Sequence, residues 1–479
     1  MADQPQTLQY YQSGGVDTYS NPLLSDGQLI HSVNMVSFPY GAKTKRTGYS
    51  AFLGTADNNY VWSLFDFQNI GNNSGSMNLY RASGTSVWYS QQGTGAWTAM
   101  GNGTFQQVNT IGHFGHTVLG TTLIGGDGIG STRHTTNGTS FTNTTLAPVG
   151  EFFEEYQRRI YIYGTANTVF YSTTNDATNW NTSGTSDSNS FNIPGAGKGN
   201  GIFKCADKLN ICKTSGQMYK WDGYSLIDNA TRYGPSSPYS IDGIEGYKFF
   251  VSTLGHYGYG GAMPQLLSNS VQRQFYNNSG SAVSADTFPI VPAVTHRYDY
   301  FATLGAYTDD FVGRTYTNGI LKYDYQKNEY LNWDTAHTPF SWLSYKDTSG
   351  AQQLIFGDSA GQCYQFDNST TDAGTAIYSE MVFVFHAGRP DLEKKWNWWR
   401  GIFNPGCEAK VQVACSNVYT YKNLVWMELG DTSSGAVEFR FPAGSRSHFL
   451  FVRIYEASKN ARYSFYGQSI NCEIQRVIP

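Results

Sequence analysis

Large side chains alternate in short runs along most of this chain, and polar turns separate the runs at near-regular intervals. Tyr161-Ile162-Tyr163 and Thr168-Val169-Phe170-Tyr171 flank a turn from Gly164 to Asn167. Period-two alternation around a turn predicts a β-hairpin. The polar run Ser172 to Asn179 then returns an aromatic, Trp180, to the sheet. Similar endings lead to Trp97, Phe141 and Trp221, so the four anchors lie 44, 39 and 41 residues apart. A repeat near ~40 residues of sheet-forming composition is the period of a β-propeller blade.

The pattern divides the chain into three parts. Residues 1–33 are polar and weakly patterned and read as an N-terminal arm ordered against a partner or against the body. Residues 34–370 carry the blade rhythm and predict a propeller of six blades, with seven the alternative count. An insertion is expected near 255–285, where aliphatic residues are scarce and Gly258 to Gly261 and Asn277 to Gly280 mark loops. Beyond a polar stretch at Asn368 to Gly374 the rhythm stops. About eight longer alternating strands follow in residues 375–479, from Ile377–Phe385 to Cys472–Ile474, as in a β-sandwich. The fold class is therefore all-β, a propeller followed by a C-terminal sandwich.

Composition agrees with this. Aromatics make up 16% of the chain and charged residues only 14%, a balance that favours sheets and tight turns over helical surfaces. The net charge of −4 gives no sign of a nucleic-acid footprint, which needs clustered basic surface. Six cysteines without a C-x-x-C pair read as free, mostly buried thiols. No apolar run reaches membrane-spanning length and no secretory signal is visible, so synthesis and assembly in a cytosol are expected.

Chemistry-bearing motifs are sparse. His113-x-x-His116 has metal spacing only on a helix; in a strand the two residues face opposite ways, and a structural pair is expected. His256 reads as an isolated loop residue. Asp309-Asp310 and Asp324 lack the spacing of a cation loop and read as solvated turns. Lys43-Thr44-Lys45-Arg46 reads as a solvated basic turn, with a closing contact at the start of the propeller as the sharper alternative. Glu154-Glu155 before Arg158-Arg159 is a compact charge cluster, pairing locally or across a subunit interface. Trp396-Asn397-Trp398-Trp399-Arg400 is the most unusual stretch. Strict alternation puts Trp396 and Trp398 on one face and exposes Trp399 beside Arg400, and Trp and Arg are residues enriched at interface anchors. The interface candidates are thus Trp396, Trp398, Trp399, Arg400, Glu154 and Arg158, weighed against a two-sided core. No catalytic constellation, metal or cofactor is expected.

Taken in order, four features resemble the tail hub, or nozzle, proteins of short-tailed bacteriophages. They are Asn34-Met35 with Lys43 to Tyr49, the blade run with Arg158 to Ile162 as its best example, Gly357 to Asp367 as a last blade, and the closing sandwich from Lys394 to Gln475. Thr47 stands where relatives often have proline. The resemblance implies a structural virion protein of the tail, assembled in the host cytoplasm. Its copies, six expected, form a ring around the DNA channel. Portal and adaptor proteins would lie above it, and it would carry tail fibres or a plug. Genomic DNA would pass without sequence-specific binding. The alternative is a glycan-binding receptor-recognition protein of a virion, with an aromatic platform at Trp399 or in the Gly258 loop. A propeller hydrolase, the third reading, requires paired carboxylates or an arginine cluster in the central funnel.

Overall fold

The computed structural model describes residues 5–475 apart from 12–14, 18–25, 38–40, 69–76, 92–94, 106–112, 165–166, 185, 230, 245, 276–289, 310, 443–444 and 459–461. The chain is built almost wholly of antiparallel strands. Five four-stranded sheets follow one another: blade 1 from Val61–Gln68 to Thr98–Thr104, blade 2 from Gly115–Leu119 to Thr142–Asn143, blade 3 from Phe152–Tyr156 to Asn189–Asn192, blade 4 from Gly199–Cys205 to Leu226–Asp228, and blade 5 from Asp242–Ile244 to Gln265–Leu266. Blade 6 is composite. Its strands Ser341–Lys346, Gln352–Gly357 and Cys363–Phe366 are completed by Tyr49–Phe52 from the start of the chain, with Tyr49 opposite Phe366 and Phe52 opposite Cys363. These six blades make the expected propeller. A seventh four-stranded unit, Ala293–His296 to Glu329–Asp334, sits in the same ring between blades 5 and 6.

That unit differs from the blades because it does not end at its fourth strand. Val33 pairs in parallel with Asn332, which carries the sheet on through Gln28–Val33, Ser379–Phe385, Phe449–Glu456, Lys410–Ser416 and Met427–Asp431. One nine-stranded sheet therefore runs from the propeller into the C-terminal sandwich. The second sandwich sheet joins Met35–Ser37, Lys43–Lys45, Ser464–Ile474, Lys394–Phe403 and Ala436–Arg440, with Gln6–Tyr11 added on Ser464–Ile474 and Arg446–Ser447 on Lys394–Phe403. The N-terminal arm is thus ordered against the body, as strands of both sandwich sheets. The propeller itself begins at Tyr49 rather than at residue 34. The region expected as an insertion also shifts: Gly255–Tyr259 and Gln265–Leu266 are blade 5 strands, and the short helix Gln272–Phe275 precedes residues 276–289, which lie outside the described residues.

A single apolar core spans both parts. Trp396, Trp399, Phe383, Leu450 and Phe465 of the sandwich belong to the same buried cluster as Phe249, Tyr300, Tyr323 and Tyr330 of the ring. His256 lies within this core. It is fully buried, with Nδ1 2.8 Å from the Tyr330 hydroxyl and its ring stacked on Tyr300, so it is not a loop residue.

The basic cluster fastens the two parts together. Lys43 pairs with Glu329 of the seventh unit at 3.1 Å, Lys45 with Glu456 of the sandwich, and Arg46 with Asp372 beside blade 6 at 2.6 Å. All three cations are buried. This corrects the reading of a solvated turn. The chain crosses here from sandwich to propeller, and each cation meets a carboxylate on a different neighbouring element. The acids of the turns are likewise less solvated than expected. Asp309 and Asp324 are buried and accept backbone N–H bonds from Phe311 and from Gln326 and Lys327; Asp310 lies outside the described residues.

Candidate functional site

The tryptophan strand departs from strict alternation. Trp396 pairs with Cys472 but Trp398 pairs with Asn471, so Asn397 is an extra residue on this strand, a β-bulge. The bulge shifts the parity of every later residue on the strand. Trp396 and Trp399 both point into the core, where their indole N–H groups donate to Ser447 Oγ at 2.9 Å and Gln468 Oε1 at 2.7 Å. Trp399 is therefore not exposed, which overturns that expectation. The outward residues are half-buried Trp398 and exposed Arg400 and Ile402. Trp398 stands opposite Arg440, and Arg400 opposite Glu438.

Neither place proposed for an aromatic glycan platform presents an exposed ring: Tyr257 and Tyr259 beside Gly258 are buried, while Gly260, Ala262 and Met263 are exposed. Trp399 has no accessible surface, and Gly258 lies in the buried strand Gly255–Tyr259.

Glu154 and Arg158 do not form a pair among the described residues. Arg158 is exposed in a turn, its backbone N–H donating to Glu155 Oε1 at 2.9 Å, and Arg159 pairs with Asp187 instead. Glu154, on the first strand of blade 3, faces the centre of the ring. It lines a cavity of about 600 Å³ walled by the first strands of the blades. Burial pushes its carboxyl up to about 7, against the nearby Lys248 ammonium.

The cavity holds two more carboxyls. Asp242 accepts backbone N–H bonds from Thr295 at 2.6 Å and Gly243 at 2.7 Å, and burial raises it. Glu151 accepts a bond from the Tyr239 hydroxyl and is also raised by burial. Tyr239 precedes blade 5, yet its ring stacks on His113, which leads into blade 2, with centroids 3.8 Å apart. It thus reaches across the ring at the His113 level of the cavity. His113 and His116 both line the cavity, and burial holds them neutral, at about 3 and about 4. His113 Nδ1 lies 3.3 Å from Ser63 Oγ, and His116 stacks on Phe65. No group of three metal-ligating side chains occurs among the described residues. The funnel therefore contains carboxyls, as the hydrolase reading requires, and no arginine among its lining residues. Two of the three carboxyls are held by neighbouring protein donors and the third stands beside Lys248. The sequence did not point to this grouping, because Glu151 and Glu154 come from the start of blade 3 and Asp242 and Lys248 from blade 5, some 90 residues later.

The six cysteines are free, and all but Cys415 are buried. No helix of the described residues is long and apolar enough to cross a membrane.

No protein-family model matches the sequence, and no curated protein matches it. Several solved structures are similar to this chain at low identity. BamB from Moraxella catarrhalis is 12% identical, with 76% of this chain and 97% of that one covered and a TM-score of 0.39. Raptor from Chaetomium thermophilum is 11% identical over 67% of this chain and 30% of that one, with a TM-score of 0.42. A computationally designed protein is 9% identical over 67% of this chain and 99% of that one, with a TM-score of 0.39.

Proposed function

We propose that this chain is a structural subunit of a short-tailed bacteriophage tail, a tail hub whose copies form a ring around the DNA path below portal and adaptor proteins. The observation that carries the reading is the sheet shared by propeller and sandwich, together with the core common to both. A continuous ladder and one core resist bending between the two parts, as the wall of a channel under pressure requires. Lys43, Lys45 and Arg46 add buried ion pairs at the same junction. On this reading DNA passes through the centre of the ring of copies, outside each propeller, whose own central cavity of about 600 Å³ is narrowed by the Tyr239 contacts with His113 and Glu151.

The test is the mass of the purified protein in solution, alone and mixed with portal and adaptor rings. A ring-sized particle, formed alone or on the partner ring, is the expected result. A chain that stays monomeric at high concentration and ignores the portal complex overturns the proposal.

A further inference from the structure

We infer that copies of this chain contact one another head to tail, the Trp398–Arg400–Ile402 face of one sandwich docking on the Met427–Asp431 edge of the next; this rests on the ring reading above. The face is formed by Lys394–Phe403 and its neighbours Ala436–Arg440, Arg446–Ser447 and Ser464–Ile474. Its outward positions include exposed Arg400, Arg440 and Arg446, with Ile402 at 47% and Tyr466 at 44% exposure. Lys395 and Glu473 cancel each other at 3.3 Å, and Glu438 pairs with Arg440 at 3.8 Å, which leaves Arg400 and Arg446 as the excess charge. The face is therefore basic on a protein whose net charge is −4.

The edge has the opposite character. Met427–Asp431 pairs with Lys410–Ser416 on one side and has no strand on its other side among the described residues. Lys410 pairs with Glu428 at 3.5 Å, and Glu408 and Asp431 outnumber Lys422 around it. Val425 and Val418 at its hairpin end are 87% and 63% exposed. Arginine offers five donors, which suit carboxylates. The apolar residues on each side, Ile402 and Tyr466 against Val425 and Val418, supply burial. Face and edge are different surfaces of one sandwich, so the contact is heterologous, the class of contact that forms a ring when its rotation closes. An isologous contact through the face alone would bring like charges together and stop at two copies.

Charge reversal tests the pairing. One variant carries Arg400→Glu and Arg440→Glu, the other Glu428→Lys and Asp431→Lys; all four side chains are exposed, and thermal unfolding checks that both variants fold. Each alone should assemble roughly 100-fold more weakly than the natural chain, in the range of lost interfacial charge pairs. Mixed together they should assemble again, because each supplies the surface the other needs. A natural ring that the Arg400→Glu/Arg440→Glu variant also forms, or a mixture that fails to regain assembly, overturns this interface and leaves the ring reading standing. A natural chain that is monomeric both alone and on a portal ring overturns the ring reading and this interface with it.

Discussion

Arg46 and Asp372, 326 residues apart, form a bidentate ion pair in which Nη1 reaches Oδ1 at 2.7 Å and Nη2 reaches Oδ2 at 2.6 Å. Nε of the same guanidinium donates to Asn34 Oδ1 at 2.8 Å, and Asn34 in turn donates to the carbonyls of Asp334 and Tyr378. One arginine thus ties the sandwich entry, the seventh unit and the end of blade 6. Removing one partner strands a buried charge, which costs about 3–5 kcal/mol, whereas replacing both by apolar groups is far milder. Asp372→Asn or Arg46→Ala should lower the unfolding free energy by about that amount in denaturant titration. Arg46→Met with Asp372→Leu should recover most of it.

Ring closure has its own tight point two residues on. A Cβ at Gly48 would lie 1.9 Å from the Thr371 carbonyl oxygen, and Gly48 N–H donates to Ser369 O at 2.8 Å. Backbone meets backbone there, so no side chain can give way. Gly48→Ala should cost roughly 2–3 kcal/mol, in the range of overpacking. Its effect should add less than fully to that of Asp372→Asn, since both loosen one clasp. A variant with natural stability would show that the first strand is not held so closely.

Much of the architecture was legible because blades are local. The Tyr161–Tyr171 pairing is the hairpin that alternation predicts, and the anchors Trp97, Phe141, Trp180 and Trp221 each fall in the outer part of a different blade. What alternation could not reach were the long-range contacts. Lys43, Lys45 and Arg46 look like a solvated turn because their carboxylates lie 286, 411 and 326 residues away. The polar N-terminal run gives no sign that Gln6–Tyr11 will pair with Ser464–Ile474. The bulge at Asn397 leaves no mark in sequence either, yet it decides which tryptophan faces solvent.

That bulge makes the tryptophans separable by experiment. Trp399 is fully buried and hydrogen-bonded, so Trp399→Ala should cost about 3–5 kcal/mol from lost burial and the cavity left behind. Trp398 is half-buried on the outer face, and Trp398→Ala should cost roughly 1 kcal/mol or less. Strict alternation demands the reverse order. Denaturant titration of the two variants decides between them, and equal large losses would place both side chains inside.

Acid should unfold this protein before neutral or mildly alkaline pH does, and the sign comes from the buried histidines. His31, His113, His116, His256 and His296 are held by burial at about 4, 3, 4, 3 and 4. Their ordinary value is near 6.5, so the unfolded chain takes up protons that the folded chain refuses. Stability is full above about 6.5 and falls as pH drops toward 4, with each histidine contributing on the order of 1–3 kcal/mol. Glu154 works the other way. Its carboxyl is pushed up to about 7, so the fold gains as pH falls from 7 toward the ordinary carboxylate range. Burial raises Glu151, Asp242, Asp66 and Asp299 in the same sense, and five imidazoles held well below their ordinary value still leave the acid-labile direction dominant. Glu154→Gln should raise the unfolding temperature at pH 8, where the natural side chain is ionised within the cavity, and change little at pH 5. Unfolding temperatures of the natural chain and this variant, measured from pH 4 to 8, check both signs. A natural chain most stable near pH 5 would mean that the histidines are not shielded from solvent.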